Sequence, residues 1–478
     1  MENIIAQIAE KVVENILKFI AENGITNIEK TAEGTLGVLK EGTLTILSAV
    51  IESLDDTIWR AKKDRREDGL TVKARNVERT YLTGLGELRY KRTYYQCKEG
   101  EMLYLVDHLI GVEGYARVSK ELCAKLVKNA AGMSMQKAAE VEGVPVSRQT
   151  VNNKVLAMKD AAVEVERVRE TPPELHLFAD EDHVHLRPKT GVYVPLITVT
   201  EGIDVTNPKR HKAINPIHFQ GYGIANSEFA ENVVAAIYER YDMDKVRTVY
   251  IHADGGNWIR KIGDLLPNSV YVMDGFHLEK HFKQLFRLNG AAPYAGVIRQ
   301  AIIRDDFESF AKYCLSIREK QDEEGKAKMV EPVNYFQNNW DSIVERVGGR
   351  HCGSCTEPLV SHILSERISR NPLAWSRQGL AKMAMLRVFT QNKGTVTAEL
   401  IRVSRSKEER KKDFSSLKNG FSVYIHYAEK QAESIFDTPH DWSIFEQEHL
   451  LPGLTDGRKA GITTLLSAYS HFHSTLVS

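Results

Sequence analysis

The chain has no excess of charge of either sign. Lys plus Arg total 64 and Asp plus Glu total 64 across 478 residues, so the formal net charge is 0. That excludes a uniformly basic nucleic-acid coat protein and leaves local basic patches open. Cysteine is scarce: Cys97, Cys123, Cys314, Cys352 and Cys355 are too few and too irregularly spaced for a disulfide scaffold. No uninterrupted apolar run approaches the roughly 18 residues that a membrane span requires. The opening MENIIAQIAEKVVENILKF carries acids inside its apolar stretch and has no small-residue cleavage site, unlike a signal peptide. Internal repeats and low-complexity tracts are also missing. These absences predict a cytosolic protein without a membrane partner. Hydrophobic residues at 42% and charged residues at 27% then supply an ordinary globular core and exclude disorder as the main state.

Periodicity divides the chain. Ile4, Ile5, Ile8, Val12, Ile16 and Ile20 share one side of a helix over 2–22, and Leu47, Val50, Leu54 and Ile58 mark a second over about 35–62. The charged run AKKDRREDG (61–69) reads as a solvated linker, with a DNA-phosphate contact as its alternative, and closes an N-terminal helical region, 1–70. Strand-like alternation around the turn TGLGE (83–87) predicts a small β region over 71–105. Residues 106–170 return to helix from about Ser119 to Arg167. Within them, 134–159 split into helix, turn and helix, with Ser134 and Ser147 as N-caps and Gly143 as the stop. Val151, Val155 and Met158 form a buried face. Arg148, Gln149, Asn152, Asn153 and Lys154 fall elsewhere, an arrangement suited to base edges and phosphates in a helix-turn-helix. A plain helical hairpin with a polar solvent face fits the spacing equally well.

Residues 171–290 carry the most informative pattern. ELHLFAD (174–180), GVYVPLITVT (191–200) and PIHFQGYGI (216–224) alternate as strands. A helix opened by Ser227 follows over 227–241, then strand 246–254, helix 258–266, strand 269–274 and helix 277–288. Three antiparallel strands followed by right-handed crossovers give a mixed five-stranded sheet, with the first and fourth strands adjacent. This is the ribonuclease-H-like topology, an α/β class. Residues 291–350 read as a helical insertion with Phe307, Phe310, Tyr313, Tyr335, Phe336 and Trp340 as candidate core. Residues 351–400 return to the core with a final helix, and 401–478 form a helical tail with a basic cluster, Arg402, Arg405, Lys407, Arg410, Lys411 and Lys412.

Asp180 ends the predicted first strand and Asp254 the fourth, so adjacent strands bring the two carboxylates together. Carboxylate oxygens of this kind hold Mg²⁺, and a third acid from a helix start completes a two-ion site. Glu357 fits, because Pro358 after it suits a first helical position; Glu366 and Glu345 are rivals. Asp182, His183 and His185 follow the first acid. His277 and His281 stand at i, i+4, a spacing that can bind zinc, although positioning phosphate or a ligand carboxylate suits His277 better, three residues after Asp274. Cys352 and Cys355, beside His351, lack a second pair and read as incidental thiols.

ADEDHVHL (179–186), HADGGNWI (252–259), VMDGFHLEKH (272–281) and SCTEPLVSHILSERISRNPLAWS (354–376), with the hairpin GELRYKRTYY (86–95), resemble the DDE transposases of bacterial insertion sequences, the ISLre-type family in particular. The resemblance runs over nearly the whole chain. It implies an RNase-H-like core interrupted by a helical insertion, and Asp180, Asp254 and Glu357 as catalytic, metal-holding triad, with Asp182, Asp274 and His277 in support. One departure is Pro358, where a small residue is expected. The resemblance further implies two Mg²⁺ ions (or Mn²⁺), double-stranded DNA partners in the form of terminal inverted repeats and target, a homo-oligomeric synaptic complex and a nucleoid location. The expected function is cleavage of the element's ends and strand transfer. A silent DNA-binding regulator on a transposase scaffold and a stand-alone nuclease of the same fold are the competing classes.

Overall fold

A computed structural model describes residues 2–402 apart from 24–26, 99, 189, 208–211, 255, 350–354 and 371–373, together with residues 423, 424, 426 and 430. The chain divides into two units, one of residues 1–123, 142–145 and 403–478, the other of 124–141 and 146–402.

The first unit begins with α1 (Glu2–Asn23) and α2 (Ile28–Arg60), which pack together. They approach closely because Gly34 and Gly42 lie where a Cβ would overlap Phe19 and Val12. The run at 61–69 is not a solvated linker. It forms α3 (Lys62–Glu67), and Arg65 is buried, donating to the carbonyls of Ile58 and Trp59 that end α2. The hairpin forms as expected from β1 (Thr71–Thr83) and β2 (Gly86–Gln96), with β3 (Met102–Leu103) added at Tyr95 and Gln96. Further along β2, α2 lines the strand instead. Ser48, Glu52 and Asp55, at i, i+4 and i+7, bond the Arg89 carbonyl and the Lys91 and Thr93 amides. These side chains satisfy an edge that would otherwise be left for another strand. By length and composition α2 could cross a membrane, which a search for uninterrupted runs misses; its second half buries Ile51, Leu54 and Ile58 against Tyr90, Tyr95 and Leu103. In α4 (Leu105–Leu109), buried Asp107 pairs with Arg92 and accepts from the Tyr90 hydroxyl at 2.7 Å. Helix α5 (Lys120–Gly132) runs across the unit boundary in sequence.

The second unit holds α6 (Met135–Val141) and α7 (Arg148–Leu156). Helix does not continue to Arg167. After residue 158 the chain is irregular, and Val163, Val165 and Val168 pack on the sheet's core; the two-residue step from Val163 to Val165 fits extended backbone, not helix. The sheet contains β4 (Glu174–Leu186), β5 (Thr190–Thr200), β8 (Ile217–Gln220), β9 (Thr248–Ala253) and β10 (Ser269–Met273), with the small pair β6 (Ile203–Asp204) and β7 (Lys212–Ala213) inside the β5–β8 connection. The spatial order is β10-β9-β4-β5-β8. The β10–β9 and β9–β4 pairs are parallel, and the β4–β5 and β5–β8 pairs are antiparallel. The chain is thus α/β with a mixed five-stranded sheet, as the pattern predicts. Leu175, Leu177 and Ala179 alternate onto the face covered by α8 (Asn226–Arg240) and α9 (Asn257–Leu265). Helix α8 starts one residue before Ser227, and no side chain caps it.

Beyond the sheet come α10 (Gly275–Phe286), α11 (Ala295–Ile303), α12 (Phe307–Arg318), α13 (Glu323–Asn338) and α14 (Trp340–Gly348). Phe310, Phe336 and Trp340 form a buried centre with Phe282. Tyr313 and Tyr335 are half-buried around it, and Phe307 stays exposed. The chain then forms α15 (Thr356–Val360), a π-helical turn over Ser361–Ser365, α16 (Glu366–Ile368) and α17 (Arg377–Gln391).

Candidate active site

Strand register positions the acids. Phe178 of β4 is the partner of His252 on β9, and their rings stack with centroids 4.5 Å apart. Side chains alternate faces along a strand, so the next residues on that face are Asp180 and Asp254, each two positions further. On the other side of β9, Met273 pairs with Ala253, and the Asp274 amide donates to the Ala253 carbonyl at 2.8 Å. Three neighbouring strands thereby deliver Asp180, Asp254 and Asp274 to one end of the sheet. Asp180 does not end its strand. β4 continues to Leu186 because the hairpin with β5 outlasts the parallel ladder with β9, which stops at Phe178.

The clustering shows in the electrostatics. The Asp180 carboxyl is pushed up to about 7, first by burial and then by the charge of Asp254, against a backbone hydrogen bond from Glu181 that pulls it down. His277 is held above the ordinary imidazole value by its hydrogen bond to Asp274 at 3.3 Å, helped by the charges of Asp274, Asp254 and Asp180. Asp274 also caps α10, accepting from the amides of Phe276 and His277. Two carboxylates brought this close, as Asp180 and Asp254 are, can share a cation.

Asp182, one pleat beyond Asp180, is buried and accepts from the Ser365 hydroxyl at 3.0 Å and the Ser369 hydroxyl at 2.7 Å. It therefore ties β4 to the helical segment that begins with Thr356 and carries Glu357, and α15 packs on β4. Glu357 is the second residue of α15 and is exposed; Pro358 is the third, not the first, still within the turn whose amides lack helical acceptors. Glu357 and Asp274 line one cavity. Among the described residues no three His, Cys, Asp or Glu side chains stand close enough to hold one ion. Glu366 is exposed and sits 3.8 Å from Arg387.

His281 does not pair with His277 at a metal. It is buried with its ring on Tyr335, centroids 3.8 Å apart, and burial holds it below the ordinary value. His183 and His185 are exposed on β4, His183 edge-on to Tyr193. Cys355 is half-buried just before α15; His351 and Cys352 lie outside the described residues. The turn between α6 and α7 forms as expected. The Ser134 and Ser147 hydroxyls accept from Lys137 and Thr150, Gly143 has φ +63°, and Val151, Val155 and Met158 are buried. Arg148, Gln149 and Asn153 are exposed, with a Gln149–Asn153 hydrogen bond at 2.8 Å, while Asn152 and Lys154 are half-buried. In the basic cluster only Arg402 is described, 3.9 Å from Asp160; Arg405, Lys407, Arg410, Lys411 and Lys412 lie outside the described residues.

Sequence reasoning missed several participants. The Trp258 indole donates to Glu181 at 2.9 Å, holding α9 beside the strand that carries Asp180. His176 and His252 contact at 3.2 Å under the acids, both buried. Arg387 donates to the His362 and Ile363 carbonyls of the π turn and to Ala131 at the end of α5, while Arg367 donates to Ala130. Nothing in the spacing of these residues signals the pairing. The one available clue was Arg recurring in a helix otherwise packed with Leu, Met and Ala.

Comparison with known proteins places these features in a family. Residues 20–405 match the uncharacterised protein family UPF0236. A UPF0236 protein of Caldanaerobacter subterraneus subsp. tengcongensis is 32% identical over 394 residues, covering 80% of this chain and 81% of the relative. A second from the same organism is 33% identical over 358 residues, 73% of this chain and 75% of the relative, and a third is 31% identical over 408 residues, 82% and 84%. With its sheet, its carboxylates and most of its length within the match, the chain belongs to the uncharacterised protein family UPF0236.

Proposed function

We propose that this chain is a transposase of the DDE type, with a ribonuclease-H-like core that cuts the ends of its own insertion sequence and joins them to target DNA. The observation that carries the reading is the register of β4 and β9. It sets Asp180 and Asp254 side by side, in a strand order that places the first and fourth strands of the core next to each other. The part of the upward push on Asp180 that comes from the Asp254 charge supports it, since two carboxylates close enough to repel each other can share a cation. Asp180 and Asp254 would hold a divalent cation such as Mg²⁺ through carboxylate oxygens, with Glu357 joining from the helix tied to β4 by Asp182. A bound ion pair of this kind lowers the pKa of an attacking water and stabilises the leaving oxygen. The chain's own residues do the rest. Asp274 holds the His277 imidazole next to the carboxylates, where it can contact a phosphate oxygen, and α6–α7 presents Arg148, Gln149, Asn152, Asn153 and Lys154 to DNA.

The relatives' names lend support: one joins eleven serial designations and another four. A gene carried in many copies is what a self-mobilising element leaves in a genome. The exposure of Glu357 on α15 is the observation favouring the alternative, a catalytically silent DNA-binding regulator.

The deciding experiment measures Mg²⁺-dependent cleavage of a labelled DNA end by wild type, Asp180→Asn, Asp254→Asn, Glu357→Gln and Glu366→Gln. The first three variants should each lose cleavage by orders of magnitude while end-binding survives, and combining them should add little, because groups acting as a unit are non-additive. Glu366→Gln, engaged with Arg387, should stay active. Full activity in Asp254→Asn would end the reading. A wild type that binds ends and never cuts would establish the regulator.

A further inference from the structure

Next to the carboxylates lies a cavity of about 370 Å³ bounded by the starts of α10 and α15 and by α11 and α14. That volume is in the range of small-ligand pockets. Asp274 belongs both to the acid cluster and to this cavity's wall, so the two are contiguous. Phe276 lies on the wall with 61% of its surface exposed, its ring held edge-on to His277 at 5.5 Å. A single exposed Phe is ordinary on a protein surface. This one, however, presents a flat apolar face inside a concave site that it shares with the carboxylates of Asp274, Glu279 and Glu357 and the guanidinium groups of Arg299 and Arg346. Arg299 is engaged by Glu279 at 3.1 and 3.3 Å and lies over the Phe282 ring at 4.3 Å. Arg346, from α14, approaches Gly275 so closely that a Cβ there would stand 2.6 Å from its Nη2; the glycine makes room for a guanidinium on this wall.

We infer that the cavity takes one unpaired nucleotide of a DNA strand, the base against the Phe276 ring and the phosphate against Arg346. Aromatic rings hold unpaired bases by stacking, which every base permits, and a guanidinium donates to phosphate through charge-assisted hydrogen bonds. The inference rests on the proposed function. A strand with one phosphate at Asp180 and Asp254 passes Asp274 and places its neighbouring nucleotide in the cavity.

The test uses the full chain in EDTA, so that no metal chemistry is needed, and follows fluorescence anisotropy of a labelled ten-nucleotide oligothymidylate, a ten-base-pair duplex and dTMP as competitor. Phe276→Ala should weaken oligothymidylate binding about tenfold or more, and Phe276→Tyr should retain it. Arg346→Gln should weaken it and flatten its salt dependence. Duplex binding should change little with Phe276→Ala, and dTMP should compete far less well than the oligonucleotide. Unchanged oligothymidylate binding in Phe276→Ala overturns the inference. So does an equal loss on the duplex, or dTMP competing as well as the strand, which would make the cavity a free-nucleotide site. Cleavage of a labelled end runs in parallel. An active wild type whose strand binding ignores Phe276 rejects the cavity and keeps the transposase. An inactive wild type that binds strand through Phe276 rejects the transposase and keeps the cavity.

Discussion

At the scale of single residues, Asp180 is the side chain whose environment says most. In the unfolded chain an aspartate titrates near 4, whereas in the fold Asp180 keeps its proton up to about 7, chiefly through burial. Between those values the folded protein binds the extra proton, so this group's contribution to stability falls as pH rises through that window. Asp180→Asn should therefore melt at a higher temperature than wild type at pH 8, with the difference shrinking as pH falls toward 4. Thermal denaturation of both proteins across that range checks it, and a difference that grew on acidification would contradict the buried-carboxylate account. The same residue shows how far a sequence reaches. Asp180 and Asp254 are legible because strand alternation and strand order are written in short-range patterns. The serine pair that binds Asp182 lies more than 180 residues away and leaves no local trace.

At the scale of elements, the α2–β2 contact is a helix stripe satisfying a strand edge. Asp55 accepts from both the amide and the hydroxyl of Thr93, in a buried setting that raises its own carboxyl despite those bonds. Asp55→Ala leaves the Thr93 amide buried without its acceptor and should destabilise the protein by about 1–3 kcal/mol. Glu52→Ala, at the more exposed Lys91 amide, should cost less. Chemical denaturation of the two variants gives the ranking, and equal losses would show that the edge is not what the helix protects. The α6–α7 pair carries a binding prediction. Replacing Arg148 and Asn152 by Ala should weaken binding to the element's ends by about 1–3 kcal/mol per lost base contact while the melting temperature holds. An unchanged gel shift in the double variant would remove this pair as the reader of sequence.

At the scale of the molecule, a cation held only by the folded carboxylate cluster must stabilise the fold by mass action. Millimolar Mg²⁺ should raise the melting temperature of the wild type. Asp254→Asn should abolish that rise, and EDTA should reverse it. A Mg²⁺ shift that survives in Asp254→Asn would locate the ion elsewhere. Under the proposed function, the net charge of 0 leaves DNA affinity to local patches. Charge reversal at Arg410, Lys411 and Lys412 should weaken binding to specific and random DNA alike and flatten its salt dependence, because counterion release is blind to sequence.

What the sequence alone determined is what depends on neighbours within a turn or a pleat: the hairpin at 83–87, the Ser134 and Ser147 caps, and the alternating strands that put Asp180 and Asp254 on adjacent positions. It misread segments whose fate lies with distant partners. Residues 159–167 gave up helix because extended backbone lets Val163 and Val165, two residues apart, both reach the sheet. The charged run at 61–69 buried Arg65 because the end of α2 has carbonyls to satisfy. Glu357's place was decided only in three dimensions, by Asp182 and the packing of α15 on β4, and the shared wall with Phe276 and Arg346 likewise. The reason is physical: turns, caps and pleats are set by backbone dihedrals and nearest side chains, while burial, strand-edge satisfaction and concavity exist only once remote segments have closed on one another.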